Sequence, residues 1–341
     1  IPTQFLKIKS FRHLFSSEFW KELRIFQRIY RQQLSVPILK TMLISLERAS
    51  VFTKCLQQQK LDLSTTVFYS YWCEDTALAL ALLNKKNGIK AISRIHGWDV
   101  YFNVHAINYL PYRHLIAQYV QLFAISKQGI QKVKEIWKVQ QPVHLSRLGT
   151  NPTFKIEQRI SKKFTLFSCS NVIPVKRVHL IAEALQHIQQ TPIHWVHFGD
   201  GSEFSHLKKL VQTLPPNIEV ELRGRVANSE IYAAFTKEQP HLFINVSSSE
   251  GVPVSIMEAM SFGVPVLATD VGGNSEIVTN ENGHLLTVHP SPEDIAREIM
   301  HFCVMTEAAY NQFSENAYQT WGNKYNAEKN YEEFTEMIQY L

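Results

Sequence analysis

Two acids eight residues apart, Glu250 and Glu258, bracket a short apolar run that has Gly251, Val252 and Pro253 at its start and Gly263 at its end. HLFINV (241–246) precedes the run and VPVLATD follows it, which predicts strand, loop, helix and strand, a parallel unit. In such sheets ligands sit outside the carboxyl ends of the strands, where Glu250 falls. Pro253 suits the first helical position and leaves the free amides of that terminus facing a crevice, an arrangement that favours phosphate. Glu258 falls on the second turn, about 7 Å further along the axis. A phosphate at the helix start and a carboxylate one turn deeper would suit a nucleotide, with Glu258 accepting from ribose hydroxyls. Spacing alone is equally compatible with a loop residue and an ordinary surface glutamate.

Three further stretches bear on the same chemistry. Lys176, in SNVIPVKRVHLI, lies at a strand-to-helix turn from which it can reach the Glu250 loop and balance a diphosphate. A lysine gains nothing from the positive end of a helix dipole, so its position hints at a ligand, although a solvated lysine would also satisfy the pattern. FGDGSEF and LRGRVANSE place Gly199, Gly201 and Gly224 at tight turns, a weak signal without the third glycine of a dinucleotide fingerprint. In the first half, SRIHGWDVY sets His96 and Gly97 directly after a strand, where the histidine can hydrogen-bond a sugar hydroxyl with Asp99 and the face of Trp98 beside it. One histidine among 14 is more commonly structural.

These residues need a scaffold, and the 341-residue chain has room for two domains. From residue 66 strand and helix alternate. TVFYSYW, IKAISRIHG and VQLFAIS read as strands, with DTALALALLNKK a helix stopped at Asn87-Gly88. After a linker at NPTF the alternation resumes with KFTLFSCS, IHWVHFG and IEVELRG. The end, NKYNAEKNYEEFTEMIQYL, reads as one long helix. The expected division is 1–150, joined by the helix 323–341, and 151–322, both α/β with parallel sheets. Ahead of this pattern SEFWKELRIFQRIYRQQL has helical period, with Phe19, Leu23, Phe26 and Tyr30 on one arc and Lys21, Arg24, Arg28 and Arg31 opposite. That face suits either an anionic membrane or plain solvent.

Charge is uneven. Residues 1–150 hold 21 Lys and Arg against 8 Asp and Glu, a balance of +13, while residues 151–341 hold 14 against 22, a balance of −8. The basic half invites an anionic surface or substrate. The four cysteines, Cys55, Cys73, Cys169 and Cys303, are far apart and imply neither zinc nor a disulfide framework. No run approaches the ~18 apolar residues of a membrane span, which leads to an expectation of a cytoplasmic protein, peripheral at most on the inner membrane face.

The segment SSSEGVPVSIMEAMSFGVPVLATDVGG, with VGGNSEIV and NGHLL after it, resembles the E-x7-E signature of family-4 retaining glycosyltransferases. YSYW, RIHGWDVY, YLPYR, FAIS-KQG and SRLGTN are similar in order and spacing to the bacterial exopolysaccharide, lipopolysaccharide and colanic-acid members of that family. The resemblance runs from about residue 66 to the end. It implies a GT-B fold, two Rossmann-like domains facing a cleft, the second binding the nucleotide-sugar donor and the first the acceptor. It assigns Glu258 to the ribose, Lys176 and the amides at Gly251, Val252 and Pro253 to the diphosphate, and Glu250 to the sugar hydroxyls. Arg225 and Val226 fall beside the base, and His96 on the donor sugar from the first domain; Gly97, Trp98 and Asp99 become acceptor-side candidates. Asn171 occupies the place where the family usually carries a phosphate-gripping arginine. The family's opening strand and glycine loop have no counterpart here, since Gly88 is the first glycine; the first domain is therefore expected to be truncated.

The function so implied is retaining transfer of a sugar from a nucleotide-diphosphate sugar to a saccharide or lipid-linked acceptor in cell-surface polysaccharide synthesis. Charge developing on the leaving diphosphate falls to Lys176 and the helix terminus. With no Asp-x-Asp present, no essential metal or other cofactor is expected. Both acids lie in one strand–helix unit, unlike the opposed carboxylates of a glycosidase. Three other readings differ in class. A basic nucleic-acid-binding protein has no recognisable module here, a catalytically silent transferase-like partner subunit is favoured only by Asn171 and the missing start, and an NAD enzyme lacks its glycine fingerprint.

Overall fold

The computed structural model describes residues 8–59, 61–151, 153–156 and 163–340. Pro152, in the expected linker, lies outside them. The chain divides into two compact units, residues up to Ser146 together with those from Phe334, and Arg147–Glu333.

The first unit carries a parallel sheet in the order β1 (Val67–Ser70), β2 (Lys90–Ile95), β3 (Gln121–Ala124), β4 (Val143–Leu145). Its two central strands, β2 and β3, are buried beyond their first residues, as a parallel sheet covered by helices requires, while the edge strands β1 and β4 stay partly exposed. The helix Asp75–Asn87 buries a continuous run of alanine and leucine, and it stops where Gly88 adopts φ +64°, the expected left-handed cap. The basic amphipathic segment forms the helix Ser17–Ile25, continued by a π-helical turn Phe26–Tyr30 and closed by Arg31 at φ +51°. Its apolar arc packs inward, with Phe19 and Phe26 buried, while Lys21, Arg24, Arg28 and Arg31 do not join the core.

The second unit holds a six-stranded parallel sheet ordered β10-β9-β8-β5-β6-β7, with β5 (Phe164–Cys169), β6 (Ile193–Phe198), β7 (Ile218–Gly224), β8 (Leu242–Asn245), β9 (Val266–Thr269) and β10 (Gly283–Leu286). From β5 the chain proceeds outward to β6 and β7, then returns to place β8 on the other flank of β5. Loops leaving β5 and β8 therefore diverge, which makes a topological switch point.

The terminal helix differs from expectation. It is broken into Glu307–Lys324 and Ala327–Gln339. The strand-like backbone at Thr150 inserts at the break, its N–H donating to Tyr325 O (2.9 Å) and its carbonyl accepting from Ala327 N (3.0 Å). Asn326 then restarts the helix by accepting from Glu328 N at 3.0 Å, an ordinary asparagine cap. The end of this helix belongs to the first unit, where Phe334 meets Phe123 edge-on at 5.2 Å and lies under the Arg94 guanidinium at 4.6 Å.

Candidate functional site

The loops after β5 and β8 meet at the switch point. Ser248 N and Oγ both donate to Val175 O, at 2.8 and 3.1 Å, stitching one loop to the other. Arg177 holds φ +48° and donates to the carbonyls of Val246 (2.8 Å), Ser247 (2.9 Å) and Val288 (3.0 Å). It is a clamp for the loop, which explains why it points away from the crevice that its neighbour Lys176 lines. Gly272 and Gly273 support the loop from behind. A Cβ on Gly272, which has φ +55°, would fall 1.8 Å from Glu250 O, and Gly273 N donates to Gly251 O at 2.6 Å. Only glycine permits that approach.

Within this frame Glu250 Oε1 accepts from Lys176 Nζ (2.6 Å), Ser247 Oγ (2.6 Å) and Asn245 Nδ2 (3.2 Å). The two charged side chains are 22% (Lys176) and 8% (Glu250) exposed. Lys176 is thus held at the crevice by an acid that an incoming diphosphate, carrying more negative charge, can compete with. The helix Val254–Ser261 begins beside them. Pro253 is its cap rather than its first residue and makes no side-chain cap bond, and among the described residues no side chain accepts from the Val254 or Ser255 amide, leaving donors for an anion.

A crevice of about 420 Å³ opens here, lined by Asn171, Lys176, Arg225, Val226, Glu250 and the turn Val252, Pro253, Val254, among others. Its walls come from the ends of β5, β6, β7 and β8, all at the carboxyl edge. Glu258 is not among the lining residues. It lies one turn deeper, 7% exposed, with Oε1 accepting from Asn228 Nδ2 at 2.7 Å. Burial raises its carboxyl pKa, and the Asn228 hydrogen bond opposes the shift. Burial and the nearby Glu258 push the Tyr232 phenol up to about 12. Burial likewise lifts the Cys169 thiol, at the end of β5, to about 12, which makes it an inert wall rather than a nucleophile.

His96 belongs to the first unit, at the carboxyl end of β2. It is 7% exposed, and neither ring nitrogen has a hydrogen-bond partner among the described residues. Asp99 Oδ2 stands 3.5 Å from Nδ1 and instead accepts from His96 N at 2.9 Å. Asp99 is fully buried and caps the one-turn helix Gly97–Val100. Gly97 opens that helix. Trp98 remains half exposed, its Nε1 donating to Glu74 Oε1 at 3.1 Å.

Sequence reasoning passed over Asn245, Ser247 and Asn228, the groups that orient the two acids, and Gly272 and Gly273, the backing of the loop. Asn245 and Ser247 were within reach, being polar at a buried strand end directly before Glu250. Asn228 was not, because only the fold brings it to Glu258. Among the described residues one cluster, His194, Glu219 and Glu221, has metal-like spacing, but it lies on β6 and β7 outside the crevice. Lys163 pairs with Glu219 and Arg223 with Glu221, so the cluster carries its own cations.

Residues 150–320 match the family model described as glycosyl transferases group 1. The chain is 25% identical over 233 residues to the UDP-N-acetylglucosamine–peptide N-acetylglucosaminyltransferase GtfA subunit of Streptococcus gordonii, covering 63% of this chain and 44% of that protein. It is 23% identical over 295 residues to the putative teichuronic acid biosynthesis glycosyltransferase TuaC of Bacillus subtilis, covering 83% and 72%. The chain spans less than half the length of the streptococcal relatives it matches. In structure it is similar to Anabaena Alr3699/HepE, crystallised with UDP and glucose, at a TM-score of 0.65 and 17% identity over 86% of this chain and 81% of that one. With its matched half built around the switch-point crevice, the chain belongs to the glycosyl transferases group 1 family and has the GT-B glycosyltransferase fold.

Proposed function

We propose that the protein is a glycosyltransferase that moves a sugar from a nucleotide-diphosphate sugar to a saccharide or lipid-linked acceptor during synthesis of a cell-surface polysaccharide. The observation that carries this reading is the pairing of Lys176 with Glu250 beside the uncapped start of the helix Val254–Ser261. There a cation, free amides and a displaceable carboxylate converge at the carboxyl edge of the sheet. The names of the relatives, among them a teichuronic acid glycosyltransferase, support the same class.

In this reading the diphosphate displaces Glu250 from Lys176, and Glu250 turns its released oxygens to hydroxyls of the donor sugar. Arg225 and Val226 border the base. Glu258, one turn deeper, accepts from the ribose. As the glycosidic bond breaks, negative charge builds on the leaving diphosphate, and Lys176 with the Val254 and Ser255 amides stabilises it more than the ground state. Asn171 adds a neutral donor where a second cation would grip harder. We assign neither acid the role of general base; the acceptor proton then passes to the departing phosphate, in keeping with same-face attack and retention of configuration. Lys176 and the amides meet the diphosphate charge without a metal, and activity should survive a chelator. For His96 we propose a contact with a sugar hydroxyl through its unpartnered ring nitrogens. Its basic first helix is a candidate for docking on the anionic inner membrane face.

A thermal-shift panel of nucleotide-sugars tests the reading, because a cognate donor stabilises by mass action. A rise in melting temperature with one nucleotide-sugar and its nucleoside diphosphate is expected; a flat panel would sink the proposal. Asn171 and the likeness to a protein named as a subunit favour one second reading, a partner that binds nucleotide without transferring sugar. Donor binding with no product on any acceptor would select it.

A further inference from the structure

Directly after β1 the chain presents Tyr71 and Trp72, each 45% exposed and both packed against the His96 ring. Ring centroids lie 4.8 Å (Tyr71) and 4.2 Å (Trp72) from that of His96, inclined by 44° and 39°. The two aromatic rings meet each other edge-on at 5.9 Å. The turn that holds them is fixed rather than loose: Ser70 Oγ donates to Trp72 O at 2.6 Å and lies 2.6 Å from Thr76 Oγ1. Two large aromatic side chains held half open to solvent give up part of the gain of burial. The histidine they touch is more than nine-tenths buried, and among the described residues neither of its ring nitrogens has a hydrogen-bond partner, so its polar atoms are buried without compensation. One ligand chemistry answers both deficits, a ring with an apolar face of C–H groups and a rim of hydroxyls.

We propose that Tyr71, Trp72 and His96 form a saccharide-stacking platform, in which the aromatic faces take the C–H face of a pyranose and a His96 ring nitrogen takes one of its hydroxyls. This rests on the transferase reading and adds to it the residues that select the sugar. The aromatic faces discriminate by which C–H groups are axial and therefore presented together. An epimer that puts a hydroxyl on that face must bury it without a partner.

Saturation-transfer NMR on the whole chain tests the platform with the methyl glycosides of glucose, galactose and N-acetylglucosamine, and in a parallel arm with UDP-glucose. The expected result is saturation concentrated on the protons of one pyranose face. Trp72→Ala and Tyr71→Ala should each weaken the interaction roughly tenfold, and Trp72→Phe should restore most of it. Signals from the methyl glycosides assign the platform to the acceptor; signals only from the hexose of UDP-glucose assign it to the donor. Absence of one-face saturation in both arms, or saturation unchanged in both alanine variants, overturns the proposal. Nucleoside diphosphate binding, measured calorimetrically on the same samples, reports separately on the transferase reading. If it persists while saccharide signals are absent, the platform alone falls; if both are absent, the transferase reading falls with it.

Discussion

Glu22, on the helix Ser17–Ile25 of the first unit, and Glu258, on the helix Val254–Ser261 of the second, are both buried glutamates, 2% and 7% exposed. Burial raises both carboxyl pKa values. Their surroundings differ. Glu22 Oε1 accepts from Tyr109 Oη and Tyr112 N, each at 2.5 Å, inside a cluster of Phe26, Tyr30 and Tyr109 rings. Those bonds tie the first helix to the segment before the helix Arg113–Tyr119. Among the described residues Glu258 has one side-chain hydrogen-bond partner, Asn228, and it stands behind a crevice at the carboxyl edge of a parallel sheet. A perturbed carboxyl therefore marks burial first. Position at the switch point and remaining hydrogen-bond capacity are what separate a ligand group from a structural one.

The largest expected effect lies on the structural side. Glu22→Ala strands the Tyr109 hydroxyl and the Tyr112 amide in a buried site and should cost about 3 kcal/mol of stability in urea unfolding. Nucleoside diphosphate affinity of the folded protein should hold. A loss of affinity without loss of stability would invert the comparison.

Next is the pH dependence of that same site. Burial pushes the Glu22 carboxyl up to about 7, against the Tyr109 and Tyr112 hydrogen bonds and the Arg113 charge. Because the folded value lies above the ordinary 4.5, the native state binds the proton more tightly than the unfolded chain. The contribution is complete below that ordinary value and is lost as pH rises to about 7, up to about 3 kcal/mol in all. Glu22→Gln, neutral at every pH, should flatten the stability profile across that window; an unaltered slope in the variant would show that Glu22 is not its source.

Glu258, the proposed ribose acceptor, should respond the other way. Glu258→Ala removes the proposed ribose acceptor behind the crevice and should weaken nucleoside diphosphate binding roughly tenfold, about 1.4 kcal/mol, by calorimetry. Its stability cost should be smaller than that of Glu22→Ala, since one Asn228 hydrogen bond is lost. The smallest expected effect is on Arg24→Gln in the first helix, an exposed cation whose loss should change stability by less than about 0.5 kcal/mol. A large change there would mean that the basic face is structural.

Much of this contrast was legible in the sequence on one side only. The E-x7-E spacing, the lysine at the strand-to-helix turn and the alternation of strand and helix located the crevice because each is a local pattern within one parallel unit. Gly88 and Gly263 marked helix ends for the same reason, both standing at positive φ. Glu22 was unreadable: it sits among basic residues on an amphipathic helix, and its partners Tyr109 and Tyr112 are 87 and 90 residues away. The capping role of Asp99 was not legible, because a carboxylate a few residues beyond a strand end can serve as a ligand or as a helix cap, and only the fold shows its bond to His96 N. The break at Asn326 had a visible capping residue, but the cause, the Thr150 backbone crossing there, is non-local.

The central claim is that Lys176 and the helix start beside it hold a diphosphate that competes with Glu250. Calorimetric titration of the nucleoside diphosphate of the cognate donor into the wild type and Lys176→Ala tests it most directly. Removing a charge-assisted contact should weaken binding by roughly ten- to hundredfold, with a smaller dependence on salt. Equal affinities and equal salt dependence in the two proteins would contradict the account.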